Sequence, residues 1–301
     1  MNTILNARKL DTAPFARLAR DVLGLFKLRI GFMIMVTALV GLAVTPGPAP
    51  GGFKMLVLAL AVLVASASAG AFNQYYERDG DRLMARTRGR PFVTGALPYS
   101  PWWLLLIAAL LVVPVSAAAW LINPVSAACV FLGAFFYGVV YTVWLKRRSS
   151  VNIVIGGLAG SFAVLAGATA ADASISAQPL LLAVVLFLWT PPHFWSLAIA
   201  NQAEYAAAGV PMLPVVVGTA RAARIVLWST AALAATTLLP GLFGAGPVYM
   251  AGALAGSGYF VAKAWLLARA PSRKTAMGAF FASLLQLSLL LAAATLDSLM
   301  R

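Results

Sequence analysis

Apolar stretches of about 20 residues recur along the chain and are separated by short polar segments. A helix of that length crosses the roughly 30 Å hydrocarbon core of a bilayer. The Asn123-Pro124 turn alone separates the third stretch from the fourth, and fusing them would reverse the side of every later loop. The pattern predicts nine membrane-spanning helices, near residues 27–46, 53–76, 102–121, 124–145, 151–171, 178–200, 221–240, 246–268 and 276–297.

The composition agrees with a membrane protein built from helices. Of the 301 residues, 62% are hydrophobic and only 10% are charged, whereas soluble domains carry about 25% charged residues. The mean hydropathy is +0.90, and apolar runs of this length indicate helices rather than a barrel. We therefore predict an all-α integral membrane protein, with a cytoplasmic tail at 1–26 that carries a surface helix and one transmembrane domain at 27–301. Small-residue motifs such as Gly252-x-x-x-Gly256 predict close helix packing.

The basic residues fall on one side of the predicted membrane. When the loops between the nine spans alternate between the two sides, all of the 22 lysines and arginines except Lys54 and Arg301 share the side of the N-terminus. Cytoplasmic loops are enriched in Lys and Arg, so we expect this side to be cytoplasmic. The same bias explains the net charge of +14, and no interleaving of aromatic and basic residues points to nucleic acid.

The densest group of charges, residues 73–91, follows the second predicted span. Asn73, Glu77 and Asp81 recur every four residues, so on a continuing helix they lie near one face, one turn apart. Carboxylates this close repel each other unless a cation lies between them. Magnesium takes oxygen ligands and is often held jointly by a few carboxylates and a substrate's phosphates. The alternative is a charged loop that only fixes the topology.

Basic residues suited to a diphosphate follow the acidic ones. Arg86, Arg88 and Arg90 can neutralise anionic charge that a metal ion leaves uncompensated. Lys146, in the loop between the fourth and fifth spans, is a further candidate, or else a topology marker. Together these residues predict a magnesium-diphosphate site on the cytoplasmic side, with catalytic loops at that surface.

The sixth predicted span and the loop after it carry the remaining candidates. Pro191-Pro192 should kink the span, and His193, the only histidine in the chain, follows directly. A histidine inside a membrane helix is by default a candidate for function, and a neutral imidazole can ligate iron or act as a base. Glu204 could hold a second metal ion or the far side of the same diphosphate. Tyr205 could hydrogen-bond the substrate or anchor the chain at the interface.

The motifs resemble those of a known family. Asn73-x-x-x-Glu77-x-x-x-Asp81, with Arg86-Thr-Arg-x-Arg90-Pro91 after it, is similar to the first aspartate-rich motif of the intramembrane aromatic (UbiA-type) prenyltransferases. Trp189-Thr-Pro-Pro-His-Phe194 and Glu204-Tyr-x-x-Ala-Gly-x-Pro-Met-Leu-Pro214 are similar to the branch of that superfamily that acts on protohaem IX. Two features depart from the family pattern: Glu77 replaces the usual aspartate, and Asn201-Gln202 replaces basic residues.

The resemblance implies a reaction and an assignment of residues. The branch that acts on protohaem IX transfers a farnesyl group from farnesyl diphosphate to a vinyl group of haem B, with addition of water. The products are diphosphate and haem O, which serves terminal oxidases. The resemblance implies Mg²⁺ as cofactor, haem B as a substrate, and a downstream haem A synthase as a possible partner. His193 would face the haem as an iron ligand or positioning group. The metal ligands implied are Asn73, Glu77, Asp81 and Glu204, and the substrate-binding residues are Arg86, Arg90, Lys146, Tyr205, Asp79 and, at a haem propionate, Arg29.

Two other functions remain as alternatives. A related prenyltransferase acting on a quinone-type aromatic acceptor has no reason to carry the Pro-Pro-His-Phe and Pro-Met-Leu-Pro segments. A transporter or channel would have charges in mid-membrane on several helices, whereas the charges here cluster at one face.

Overall fold

The computed structural model describes residues 13–48 and 50–300, which form helices and connecting turns without strands. The α-helices are α1 (Ala13–Leu25), α2 (Leu28–Ala43), α3 (Gly52–Tyr76), α4 (Arg78–Asp81), α5 (Pro91–Thr94), α6 (Trp102–Leu121), α7 (Pro124–Phe135), α8 (Asn152–Gly156), α9 (Leu158–Ala171), α10 (Ala177–Ala200), α11 (Gln202–Ala207), α12 (Leu213–Val217), α13 (Thr219–Leu238), α14 (Pro247–Arg269) and α15 (Arg273–Leu299). A π-helix at Phe136–Leu145 continues α7, and a 3-10 turn at Leu239–Phe243 continues α13. In the predicted tail, α1 covers the second half, and residues 1–12 lie outside the described residues.

A helix covers each of the nine predicted spans. Among the described residues, seven helical segments are individually long and apolar enough to cross a membrane: Gly52–Tyr76, Trp102–Leu121, Pro124–Leu145, Asn152–Ala171, Ala177–Ala200, Thr219–Phe243 and Arg273–Leu299. The 16 residues of α2 are too few alone, although Leu18–Leu25 and Leu28–Ala43, bent by 41°, form an eighth candidate together. The 23 residues of α14 are sufficient in length, but this helix is not among the seven. The structure thus gives a multi-pass helical membrane protein with seven such helices, and the count of nine stays a prediction.

The buried side chains form two main groups on either side of a central space. One group joins α2, α3, α7 and α9, and the other joins α10, α13, α14 and α15 and also includes residues of α2 and α9. Helix α10 runs unbroken through Pro191 and Pro192 to Ala200. Helix α6 packs against α3 at the outside of the bundle and leaves Trp120 91% exposed, where lipid would surround it.

Small residues bring the helices of each group close together. On α2 and α9, Gly41 faces the backbone of Val164 and Gly167 faces the backbone of Ala38. At Gly256 of α14, an added Cβ would lie 3.1 Å from Cα of Gln286 on α15. Close backbone approach is how helices associate where lipid removes the hydrophobic driving force. The result is a rigid frame around the central space.

Candidate active site

A cavity of about 490 Å³ opens between the two groups of helices, within the range of small-molecule sites. Its deeper wall is apolar and comes mainly from α2, α3, α7 and α9, with residues such as Ile34, Val62, Ala65 and Val130. At the other end, where the helices terminate, charged and polar side chains line it. These are Lys27, Asn73, Asp81, Arg86, Thr87, Arg90, Tyr137, Tyr141, Lys146 and Tyr205. The cavity therefore suits a molecule with an anionic head and an apolar chain.

The junction between α3 and α4 stacks the three residues of the four-residue period. The Glu77 amide donates to the Asn73 carbonyl oxygen at 3.0 Å, and the Asp81 amide donates to the Glu77 carbonyl oxygen at 2.8 Å. The α-helical spacing is therefore kept although α3 itself ends at Tyr76. All three side chains are buried. They lie one turn apart, as the sequence period predicts.

A cation contacts each of these three side chains. Lys146 donates from Nζ to Oε2 of Glu77 at 2.5 Å, and Arg90 donates from Nη1 to Oδ2 of Asp81 at 2.5 Å. Lys27 donates from Nζ to Oδ1 of Asn73 at 2.7 Å. Both carboxylates are almost fully buried, with side chains 2–3% exposed, so they depend on these partners to offset lost hydration. At the polar end of the cavity, each acidic or amide side chain of the motif is therefore paired with a cation.

Lys27 reaches the site because the helical path is interrupted between α1 and α2. It has φ 47° and ψ 43°, the only described non-glycine residue with positive φ. The left-handed region is costly for a side chain with a Cβ, and such strain persists mainly at functional positions. The break turns the side chain inward, where Nζ also lies 3.3 Å from the Tyr137 hydroxyl. Sequence reasoning counted Lys27 only as a topology charge.

The π-helix sets the opposite wall. Lys146 donates its amide to the Tyr141 carbonyl oxygen at 2.9 Å, five residues back, so these two residues share a face. In an α-helix, residues five apart point about 140° away from each other. Thr142, on the same segment, accepts a hydrogen bond from Nδ2 of Asn73 at 3.1 Å. The π-helical spacing thus places the Lys146 ammonium on Glu77.

Burial and a neighbouring carboxylate shift the pKa of Lys146 in opposite directions. Burial lowers the pKa of its ammonium, and the neighbouring Glu77 carboxylate opposes that shift. Arg147 adds a longer contact to Glu77, with 3.7 Å between Nη2 and Oε2. The close approach of Arg147 requires Gly80, because a Cβ there would collide with the guanidinium.

The arginine-rich loop divides between the cavity and the outside. Arg86 and Arg90 line the cavity, although Arg86 is also exposed, whereas Arg88 is exposed and does not line it. Asp79 is 77% exposed and pairs with Arg78 and Arg82, away from the buried carboxylates. Arg29 is also exposed and does not line the cavity.

Helix α11 brings Glu204 and Tyr205 to the same end. Tyr205 is 2% exposed and lines the cavity. Burial raises the pKa of its phenol, and the Arg86 guanidinium opposes that rise. Glu204 precedes it on α11, with Oε2 buried and without a hydrogen-bond partner. The two loops that are distant in sequence therefore meet, as their predicted common side requires.

His193 lies on another wall, between two aromatic rings. The Trp189 ring stacks on it at 4.1 Å between centroids and the Phe280 ring at 4.7 Å. Its Nδ1 lies 2.7 Å from Oγ of Ser283 on α15. The imidazole lines the cavity together with Phe194 and Leu197. It is thus fixed on both faces and at one nitrogen.

The oxygen atoms at the polar end fit a magnesium ion whose ligands come partly from the protein and partly from a substrate. Within residues 13–48 and 50–300, no three His, Cys, Asp or Glu side chains are grouped closely enough to hold a metal. However, Oε1 of Glu77 and Oε2 of Glu204 are buried and accept no hydrogen bond. Magnesium is usually bound by one or two carboxylates plus substrate phosphates rather than by an all-protein cage. The residues fit that shared arrangement, while Oδ1 of Asn73 is already engaged by Lys27.

Comparisons with known proteins cover most of the chain, and they match it to prenyltransferases. Residues 34–289 match the model of the UbiA prenyltransferase family. The chain is 55% identical to protoheme IX farnesyltransferase 2 of Paramagnetospirillum magneticum over 91% of this chain and 96% of that one. It is 45% identical to protoheme IX farnesyltransferase 1 of the same organism, over 92% and 98% of the two chains.

Solved structures share the fold at low sequence identity. A digeranylgeranylglyceryl phosphate synthase superposes with a TM-score of 0.79 at 16% identity, covering 95% of this chain and all of that one. A UbiA homologue from Archaeoglobus fulgidus bound to DMAPP and Mg²⁺ superposes with a TM-score of 0.66 at 17% identity, covering 92% and 99%.

Proposed function

The chain belongs to the UbiA prenyltransferase family and, within it, to the protoheme IX farnesyltransferases, and from that premise we propose its reaction. It transfers a farnesyl group from farnesyl diphosphate to a vinyl group of protohaem IX (haem B), with addition of water, giving haem O and diphosphate. The observation that carries the proposal is the division of one cavity into a cationic end and an apolar end. That shape fits a prenyl diphosphate, and the names of the relatives support haem as the acceptor.

At the polar end, the chain's own cations bind the diphosphate. Arg86, Arg90 and Lys146 line this end, and we add Lys27 to them. As the bond between the allylic carbon and oxygen breaks, negative charge develops on the leaving diphosphate. Preorganised cations in a site shielded from water stabilise that charge strongly. Tyr205, which lines the same cavity, would donate a hydrogen bond to the same group.

Asn73, Glu77, Asp81 and Glu204 are the residues that would hold magnesium. When bound, Mg²⁺ supplies Lewis-acid neutralisation of the diphosphate oxygens. That a UbiA homologue of the same fold from Archaeoglobus fulgidus is bound to DMAPP and Mg²⁺ supports magnesium as the metal. Lys146 pairs with Glu77 and Arg90 pairs with Asp81, and these contacts orient the two carboxylates. Asp79 pairs with surface arginines and would act only by holding Arg78 and Arg82 near the entrance.

The apolar wall receives the prenyl chain. Along α3 the lining runs from Asn73 down to Val62, which is roughly 16 Å of helix. Small residues, including Ala65 and Ala69, leave room beside that helix. The wall excludes water from the allylic carbon, which would otherwise be hydrolysed.

His193 would face the acceptor. It lies on the part of the cavity wall that α10 contributes, and acts as an iron ligand or positioning group for haem B. Arg29, exposed at the start of α2, is the candidate partner of a haem propionate.

The orientation follows from charge. We propose nine spans, with α2 and α14 crossing beside the seven individually apolar helices, at the inner membrane of a bacterium. The polar end of the cavity then faces the cytoplasm, because the basic residues lie on that side. Haem O would pass to a downstream haem A synthase.

A product assay tests the function. Purified protein in lipid nanodiscs is incubated with haem B, farnesyl diphosphate and Mg²⁺, and the pigment is identified by mass spectrometry. We expect the mass of the farnesyl-hydroxyethyl haem. Transfer to a quinone-type aromatic acid, with no haem product, would instead assign the diphosphate site to a different acceptor. Turnover of neither acceptor would refute the proposal.

A further inference from the structure

The contacts of Ser283 determine which nitrogen of His193 carries the proton. Its Oγ lies 2.6 Å from the Phe280 carbonyl oxygen, three residues back on α15, and 2.7 Å from Nδ1 of His193. A serine hydroxyl has one hydrogen to donate. If that hydrogen goes to the carbonyl, which can only accept, then Oγ must accept from Nδ1–H. A neutral imidazole with its proton on Nδ1 has its lone pair on Nε2.

Neighbouring contacts fix the serine and the ring in this arrangement. Trp189 donates from Nε1 to the Ser283 carbonyl oxygen at 3.0 Å, which ties α10 to α15 at this position. The Trp189 and Phe280 rings lie nearly parallel to the imidazole, at 17° and 27°. With both faces and Nδ1 occupied, the edge of the ring that contains Nε2 is the part left toward the cavity. Ser283 itself is fully buried and does not line the cavity.

We propose that Ser283 is a positioning residue that holds His193 as the Nδ1–H tautomer and so presents the Nε2 lone pair to the acceptor substrate. The proposal deepens the function above and rests on it for the identity of the acceptor. A partner on one nitrogen of a histidine commonly sets the ligating nitrogen in this way. With the tautomers reversed, Nε2 would carry hydrogen and could not bind a metal.

The single histidine of the chain makes the tautomer directly measurable. Protein labelled with ¹⁵N-histidine and purified through a tag free of histidine gives one pair of ring nitrogen resonances. We expect Nδ1 in the range of a protonated nitrogen and Nε2 in the range of an unprotonated one. Ser283→Ala should reduce the ratio of the two tautomers roughly fivefold, which corresponds to one neutral hydrogen bond. Ser161→Ala, which removes a buried serine bond to Ala183 between α9 and α10, should leave the spectrum unchanged.

The outcomes separate this proposal from the proposed function. A wild-type spectrum with hydrogen on Nε2 overturns the proposal without any variant, so the test survives if Ser283→Ala fails to fold. An unchanged tautomer ratio in folded Ser283→Ala also overturns it. Zinc protoporphyrin IX, a diamagnetic haem analogue, should shift the Nε2 resonance of the wild type. If the tautomer is as expected but zinc protoporphyrin leaves Nε2 unmoved, the presentation to the acceptor is refuted, whereas the product assay reports independently on farnesyl transfer.

Discussion

The ammonium of Lys27 lies 2.7 Å from Oδ1 of Asn73, although 46 residues separate them in the chain. The contact joins the break between α1 and α2 to the last turn of α3, at the polar end of the cavity. It places a cation on a side chain that the sequence motif assigns to metal. A diphosphate entering the cavity would therefore meet Lys27 together with the arginines.

Replacing Lys27 by glutamine should weaken binding of farnesyl diphosphate. Loss of one charge-assisted hydrogen bond should raise the KM for that substrate about tenfold or more, with a smaller effect on the KM for haem. Steady-state kinetics with each substrate varied in turn measures the difference. Lys54→Gln is the matched control, since Lys54 is exposed at the opposite end of α3. Equal KM values for Lys27→Gln and wild type would remove Lys27 from the diphosphate site.

Asp81→Asn should abolish turnover while leaving the protein inserted in the membrane. The substitution removes the charge that faces Arg90 and the proposed magnesium, so we expect a rate loss of about 100-fold or more. Asp79→Asn is the control, because Asp79 is 77% exposed and contacts only surface arginines. Product formation and gel filtration in detergent are measured on both variants. Retained activity in Asp81→Asn, with normal elution, would refute the metal-ligand role.

The buried pair of Glu77 and Lys146 permits structural and catalytic effects to be separated. Removing one partner leaves the other charge buried, which costs about 3–5 kcal/mol. Glu77→Gln and Lys146→Met should therefore each lower the thermal unfolding temperature. The double variant should regain part of that loss, because no uncompensated charge remains, yet stay inactive. If activity returned with stability in the double variant, the pair would be structural only.

The lowered pKa of Lys146 predicts an alkaline limit of substrate binding. Burial favours the neutral amine, so the ammonium loses its proton at a lower pH than an ordinary lysine. Affinity for farnesyl diphosphate should be full below that pKa and fall as the pH rises through it. Lys146→Arg should move the limit upward, because a guanidinium stays protonated throughout this range. The pH dependence of the dissociation constant, measured by fluorescence quenching, distinguishes the two; coincident profiles would contradict the assignment.

The sequence predicted the acidic face of the site and, among its cations, Arg86, Arg90 and Lys146, but not Lys27. The four-residue period of Asn73, Glu77 and Asp81 is a local helical property, and the backbone keeps it through the α3–α4 junction. Lys27 adjoins a predicted span, where a basic residue is expected on topological grounds, and nothing nearby marks its left-handed conformation. The role of Ser283 could not be predicted from the sequence for a different reason, because its partner His193 is 90 residues away.

The span boundaries show a similar contrast. The segments 102–121 and 124–145 coincide with helical segments of the structure, because hydropathy and the turn at Pro124 mark their ends. The same apolar sequence gives no sign that Phe136–Leu145 is a π-helix. That register depends on the tertiary bonds of Thr142 and Lys146 to α3 and Glu77. Local pattern thus fixes where the helices are, and long-range contacts fix which faces they turn to the cavity.

Filling the deep end of the cavity should shorten the preferred prenyl chain. Val62 lies there on α3, 4% exposed and part of the lining. Phenylalanine at this position occupies space that the last isoprene unit would need, whereas the shorter geranyl chain would end before it. We expect Val62→Phe to lower kcat/KM for farnesyl diphosphate relative to geranyl diphosphate by about tenfold, the range for a few misplaced carbon atoms in an apolar pocket.

The control for Val62→Phe is Leu56→Phe, on the same helix but 56% exposed at the outside. It adds a ring of the same kind without entering the cavity, so its ratio of kcat/KM values should match that of the wild type. Both variants are assayed with the two diphosphates in competition, and the haem products are separated by mass. A loss of activity toward both diphosphates in equal proportion would indicate damaged packing rather than a shortened chain site. An unchanged ratio in an active, folded Val62→Phe protein would place the prenyl chain elsewhere.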